Sequence, residues 1–252
     1  MRRAFLFLCI LSSFAACAYG QQKNDYTLNL GFNYGDRARK QPTFSDKETV
    51  PGKFEYWVFD NLSVRVQSSL LVSKNSVAKV RSSGRGDAFL GANFTLVDFD
   101  PTHPLGISFD YQVKIPTAIK GLGTDKVDHQ ITATLYRNFA QNRVYAEFDG
   151  GTYIAGQQGR TDIAAPQFSI IETVGLGKLP AEGTSYKWKL LNETDYSPAA
   201  TGSPSSIVET VLIINTISPR WNFKFGPNFA ITPYDSRFGF SAGIQFKGHF
   251  GK

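Results

Sequence analysis

The side chains best suited to chemistry in this sequence are three histidines and a scatter of charged residues. A Ser–His hydrolase needs a hydroxyl within hydrogen-bond reach of an imidazole that a third polar group orients. His129 shares its alternating phase with Ile131, Ala133, Leu135 and Arg137, and no Ser stands among them. It reads as an amphipathic residue at an interface. A Ser from a neighbouring strand stays open, so a lipid-modifying enzyme is the least favoured function and no catalytic residue is assigned. His103, in a short turn, and His249, near the end of the chain, are isolated. Both cysteines, Cys9 and Cys17, lie in the first twenty residues, and no His pair exists elsewhere. No zinc or other metal site is therefore expected. Gly121-Leu122-Gly123 is followed by a strand pattern where a phosphate cradle needs a helix. Arg85-Gly86-Asp87 reads as a turn. No cofactor is expected.

The charged residues follow a spacing of two or four. Asp110 and Lys114, Glu147 and Asp149, and Lys187 and Lys189 would each point to one side of a strand. With Arg65, Asp87, Lys224 and Lys247 they form the candidate lining of a barrel interior. Either mixed-sign pairs satisfy one another and fill that interior, or they form a ring that selects solutes. Both readings stay open.

The elements that must position them are strands. Tyr26, Leu28, Leu30, Phe32 and Tyr34 alternate with Thr27, Asn29, Gly31 and Asn33. Leu105 to Ile115 and Phe238 to Lys247 repeat the pattern, and no comparable stretch has a 3.6-residue period. Twelve strands are expected at about 25–35, 52–59, 62–73, 86–98, 104–116, 127–139, 143–155, 165–178, 185–197, 206–217, 220–232 and 237–250. Glu172, on the apolar phase, and Ile213-Ile214 suggest bulges in the eighth and tenth. Links alternate between short ones (such as Ala140-Gln141-Asn142, Pro180–Thr184 and Ser218-Pro219) and longer polar ones (Asp36–Val50, Lys74–Arg85, Thr117–Lys126, Gly156–Ala164, Ala199–Ser205). The apolar phase carries Tyr, Trp and Phe towards segment ends, and segments of about ten residues suffice to cross a bilayer when tilted. The fold class expected is all-β: an antiparallel transmembrane β-barrel of about 12 strands, with the apolar face outward.

Met1-Arg2-Arg3, the apolar run Ala4–Ala16 and Ala18-Tyr19-Gly20 have the three parts of a secretory signal peptide. The expected domains are thus a signal peptide at 1–20 and a barrel at 21–252. A lipidated Cys17 is a weaker alternative, since Phe14 stands where an aliphatic residue is usual. Losing Arg2 and Arg3 lowers the formal net charge by two from +6. The basic residues are dispersed, which argues against a nucleic-acid partner. The expected partners are outer-membrane lipid and a small solute, the expected state is a monomer, and the expected location is the outer membrane of a Gram-negative-type bacterium.

Gly86-Asp87-x-x-Leu90-Gly91-Ala92-x-Phe94, then Lys114-Ile115-Pro116-Thr117 and Gly121-Leu122-Gly123-Thr124-Asp125, resemble a family of outer-membrane barrels associated with the meta-pathway of phenol degradation. The resemblance covers about a third of the chain, from the third to the sixth expected strand. Ala118 stands where Gly is expected, and Gly251-Lys252 follow Phe250 where a terminal aromatic is usual. The resemblance implies a transporter of small molecules, hydrophobic or aromatic ones among them. The leading functional expectation is a narrow channel or transporter. The alternative is a closed barrel with a structural or surface-interaction role.

Overall fold

The alternating segments form one antiparallel sheet closed on itself. The computed structural model describes residues 22–36, 47–75, 80–98, 104–119, 122, 126–140, 142–154, 156, 164–181, 185–197, 205–232 and 238–251. The strands are β1 (Asp25–Gly35), β2 (Lys47–Phe59), β3 (Leu62–Asn75), β4 (Val80–Arg85), β5 (Ala88–Val97), β6 (Gly106–Ile115) and β7 (Asp128–Phe139). They continue as β8 (Val144–Ile154), β9 (Ala164–Leu176), β10 (Trp188–Ser197), β11 (Ser206–Ser218), β12 (Trp221–Ala230) and β13 (Phe238–His249). Strands next to one another in sequence pair, except that β5 joins β3 directly; β13 returns to β1 from Asp25↔His249 to Gly35↔Gly239. Closure pairs the twelve wall positions all round, and among the described residues β4 alone has a strand neighbour on one side only.

The period of two sets the facing. Leu28, Leu30, Phe32, Phe109 and Tyr111 are exposed outside, whereas Thr27, Asn29, Ser108 and Lys114 are buried within. The apolar phase is therefore outside, as the sequence suggested.

Three expectations need correction. The expected strand at 86–98 is β5, but the expected loop 74–85 contains strand as well: β3 runs on to Asn75, and β4 (Val80–Arg85) shares one wall position with β5. Gln67 faces Phe89, but Leu70 faces Arg85, so one extra residue is inserted around Gly86-Asp87. Asp87 shares the inward phase of Phe89, and the bulge offsets β4 from that phase. Counting β4 and β5 as one, the wall has twelve positions. Next, β2 begins at Lys47, not 52. Its ladder to β1 skips from Leu30↔Gly52 to Asn33↔Thr49, and Pro51, which has no N–H to donate, lies in that gap. Last, the link 177–187 is longer than Pro180–Thr184 because β9 ends at Leu176 and β10 starts at Trp188. Register is continuous through Glu172, so no bulge occurs there, while β11 has one between Thr216 and Ser218.

Residues 1–20, with Cys9 and Cys17, lie outside the described residues, as do His103, Gly121 and Gly123. The end carrying the start of β1 and the end of β13 is called the terminal end below, and its opposite the far end.

Candidate functional site

The inner wall is built by the polar phase of each strand, and that phase carries charge at every level. Arg65 (β3), Asp110 and Lys114 (β6), Glu147 and Asp149 (β8), Lys189 (β10), Lys224 (β12) and Lys247 (β13) all occupy it, as does Asp87 at the bulge. Lys187 does not join them. It precedes β10 at the terminal rim with its side chain exposed, while its carbonyl accepts from the Thr216 N–H at 2.8 Å.

The inward charges find partners one strand away, two strands away or two residues along the same strand, and none of these ion pairs joins residues four apart on one strand. Lys114 is 2% exposed and ion-pairs with Asp128, and its Nζ lies 3.9 Å from Asp87. Asp128 also accepts from the Tyr153 hydroxyl and from the Gly156 N–H at 2.9 Å, and Asp87 accepts from the Ala118 N–H at 3.1 Å. These bonds tie the far ends of β5 to β8 to their links. Arg65 ion-pairs with Asp110 and reaches Gln112 at 3.2 Å. It crosses β5 at Gly91, where an added Cβ would lie 2.8 Å from its Nε. On β2, Lys53 pairs with Glu55 at 2.9 Å, and the Ser63 hydroxyl donates to Glu55 at 2.7 Å.

A carboxylate quartet lies elsewhere on the wall. Glu147↔Ile171↔Glu193 and Asp149↔Ser169↔Asp195 are two adjacent rows across β8, β9 and β10. Tyr145 donates to Glu147, and Thr134 donates to Asp149 at 2.5 Å. The order of pairing sets β8–β10 opposite β1–β3, so this acidic wall faces Lys53, Glu55 and Arg65, the two cations already ion-paired with Glu55 and Asp110. Ile171 fills the space between Glu147 and Glu193, and on the terminal side Leu191, Leu212 and Ile214 pack against it beside buried Thr173 and Lys189. Below these, Tyr186 is 4% exposed and packs over Gly175. Arg143 holds the link there, donating to the Gly177 carbonyl at 2.7 Å.

Lys53, Glu55, Asp128, Glu193 and Asp195 were not among the residues singled out from sequence. Each stands on the polar phase of its strand, so the same alternation that selected the others marks them too.

The histidines have other surroundings. His129 Nδ1 meets the Tyr111 hydroxyl at 2.7 Å, and the two rings stack on the outer wall. His249 is not isolated: its Nδ1 lies 2.8 Å from Asp25 Oδ1, across the β1–β13 closure. Around that closure Tyr26 stacks on Phe250 at 4.4 Å, and Trp221 packs on Phe246 at 4.7 Å, forming an aromatic band at the terminal end.

No protein-family model and no curated protein sequence matches the chain. Solved structures do. The KdgM porin in complex with disordered oligogalacturonate superposes with a TM-score of 0.62 at 7% identity, over 88% of this chain and 99% of that one. An outer-membrane channel from Pseudomonas putida F1 gives a TM-score of 0.66 at 10% identity, over 90% and 97% of the two chains. At such identities the likeness is one of architecture, and it establishes the chain as a closed antiparallel β-barrel of the kind built by outer-membrane channels.

Proposed function

We propose that this protein is exported by a signal peptide within residues 1–20, sits in the outer membrane with its terminal end towards the periplasm, and acts as a narrow passive channel or transporter for small molecules. The observation that carries the reading is the inner wall: four carboxyl groups of β8 and β10 cluster on one side of the interior, while Lys53 and Arg65 on the opposite side are already paired with Glu55 and Asp110. A cluster of acidic groups in a low-dielectric shell discriminates solutes by charge. A barrel filled only for rigidity has no need of like-charged neighbours. The two solved channels of the same architecture support the class.

The wall favours a small polar solute. The family resemblance adds a ring, and buried Phe89, Tyr145 and Tyr186 give the interior aromatic surface. A phenol or an aromatic acid has both features. Many inner side chains are nearly covered, Asn29 at 3% and Thr210 at 4% exposed among them, so the unitary conductance is expected to be small.

Purified protein in a planar bilayer tests this. Discrete small openings with a reversal potential shifted towards cations are expected. Silence in the bilayer, together with unchanged uptake of phenols and aromatic acids in a deletion strain, would favour the closed structural barrel instead. Recovery of the protein from the soluble periplasm would refute the membrane location itself.

A further inference from the structure

An ionised side chain on the lipid face of a barrel carries a penalty that grows with depth. One sector of the outer wall accepts it. Glu172 is exposed on the outer phase of β9, between Ile170 and Val174. Register is unbroken there: Glu172 faces Ala146 on β8 and Asn192 on β10. Behind it, buried Ile171 fills the inner phase between Glu147 and Glu193, with Leu191 and Leu212 packed against it, so the outward charge of Glu172 has no inward counterpart on its own strand at that level.

Arg137 of β7 lies in the same row, on the other side of Ala146. It is exposed and sits 4.8 Å over the Phe139 ring. The row therefore runs Arg137, Ala146, Glu172, Asn192 across four neighbouring strands. An acid and a base stand one strand either side of a methyl group. Farther along β8, Phe148 stacks on Phe168 and both rings cover Gly150, so the low part of this face is confined to Ala146.

This arrangement is self-complementary under one symmetry operation. A two-fold axis parallel to the barrel axis and passing at Ala146 sets β7 of one copy against β9 of the other. Each Arg137 then meets Glu172 of the partner subunit, twice per dimer. Within one copy the two residues are about 10 Å apart, two strand spacings. With strands tilted about 40° their heights differ by about 6 Å, a distance an extended Arg side chain spans. Ala146 between them leaves room for the two walls to approach at the axis.

We propose that this face pairs with a second copy of the chain in the membrane, as a two-fold dimer centred on Ala146 and held by two Arg137–Glu172 ion pairs. The dimer takes both charges out of lipid, and it replaces the monomer expected from sequence. The inference rests on the membrane location proposed above and is independent of channel activity.

Residues 21–252 contain no cysteine, so Ala146→Cys supplies a single thiol at the axis. Oxidation of intact outer membranes should give a disulfide-linked dimer with A146C and none with Phe32→Cys, on the outer phase of β1. In the A146C background, R137E or E172R alone should abolish the cross-link, and R137E with E172R should restore it. Heat-modifiable migration reports folding of each variant. If a charge variant does not fold, Ala146→Trp replaces it: blocking the approach should shift the mass in mild detergent from dimer to monomer. The proposal is overturned by absence of the A146C cross-link, by cross-linking to a different envelope protein, by a charge swap no better than its single changes, or by an A146W protein that stays dimeric. Soluble protein would refute the membrane reading, whereas a membrane-inserted monomer would refute this inference alone.

Discussion

Lys114 and Asp128 are 2% and 1% exposed, and their charges are tolerated because each meets the other and because Tyr153, Gly156 and Asp87 surround them. A buried ion pair adds little net stability, but removing one member strands the other at a cost of about 3–5 kcal/mol. Lys114→Ala is expected to lower unfolding stability by about that amount in urea titrations of the lipid-refolded barrel. Lys114→Ala combined with Asp128→Ala should recover part of the loss, since no isolated charge remains on that pair. The individual charges were legible in the sequence, but their partners were not. Spacing along β6 suggested Asp110 with Lys114, whereas cross-strand register pairs Lys114 with Asp128, and Arg65 reaches Asp110 over the bare backbone of Gly91. Register between strands distant in sequence leaves no mark in local spacing.

On β6 the two faces can be compared one residue apart. Phe109 is 46% exposed outside and Ser108 is 6% exposed inside. Arg at Phe109 is expected to cost about 2–4 kcal/mol, the price of a basic residue near the bilayer midplane. Arg at Ser108 should be milder, with Asp149 hydrogen-bonded to the neighbouring Thr134. Because an inward core would also resent Phe109→Arg, single-cysteine labelling is the discriminating measurement. Phe109→Cys should react with a lipid-soluble reagent and not with an aqueous one, and the reverse pattern would overturn the facing. Strand phase was legible because a wall that is wet on one side and greasy on the other enforces strict alternation. Alternation fails to mark strand ends where special residues intervene. The Gly86-Asp87 bulge shifts the phase by one and hides β4, and Pro51 resembles a breaker although the ladder skips it. The link 177–187 was underestimated because Tyr186 looks like a strand residue, while in fact it folds back beneath Gly175.

At the scale of the whole molecule, the proposed channel would owe its charge selectivity to the acidic quartet, which β8 and β10 supply together and no single strand could. Glu147→Gln with Glu193→Gln should reduce the cation preference severalfold, read as a shift of the reversal potential under a salt gradient. Lys53→Gln should move it the other way, because the remaining field is more acidic. An unchanged reversal potential in both would place the solute path elsewhere. The closure of β13 on β1, fastened by Asp25 and His249, has a consequence for assembly. Those strands stand 224 positions apart at that contact, so the seam joins parts of the chain that emerge from synthesis long after one another. Until β13 arrives, β1 and β12 present unpaired backbone along their whole lengths, an adhesive state for any other extended segment. Such a late, non-local step is intrinsically slow and exposed to aggregation. The unclosed chain must then be escorted to the bilayer, and shortening β13 should produce aggregation in transit instead of a smaller pore.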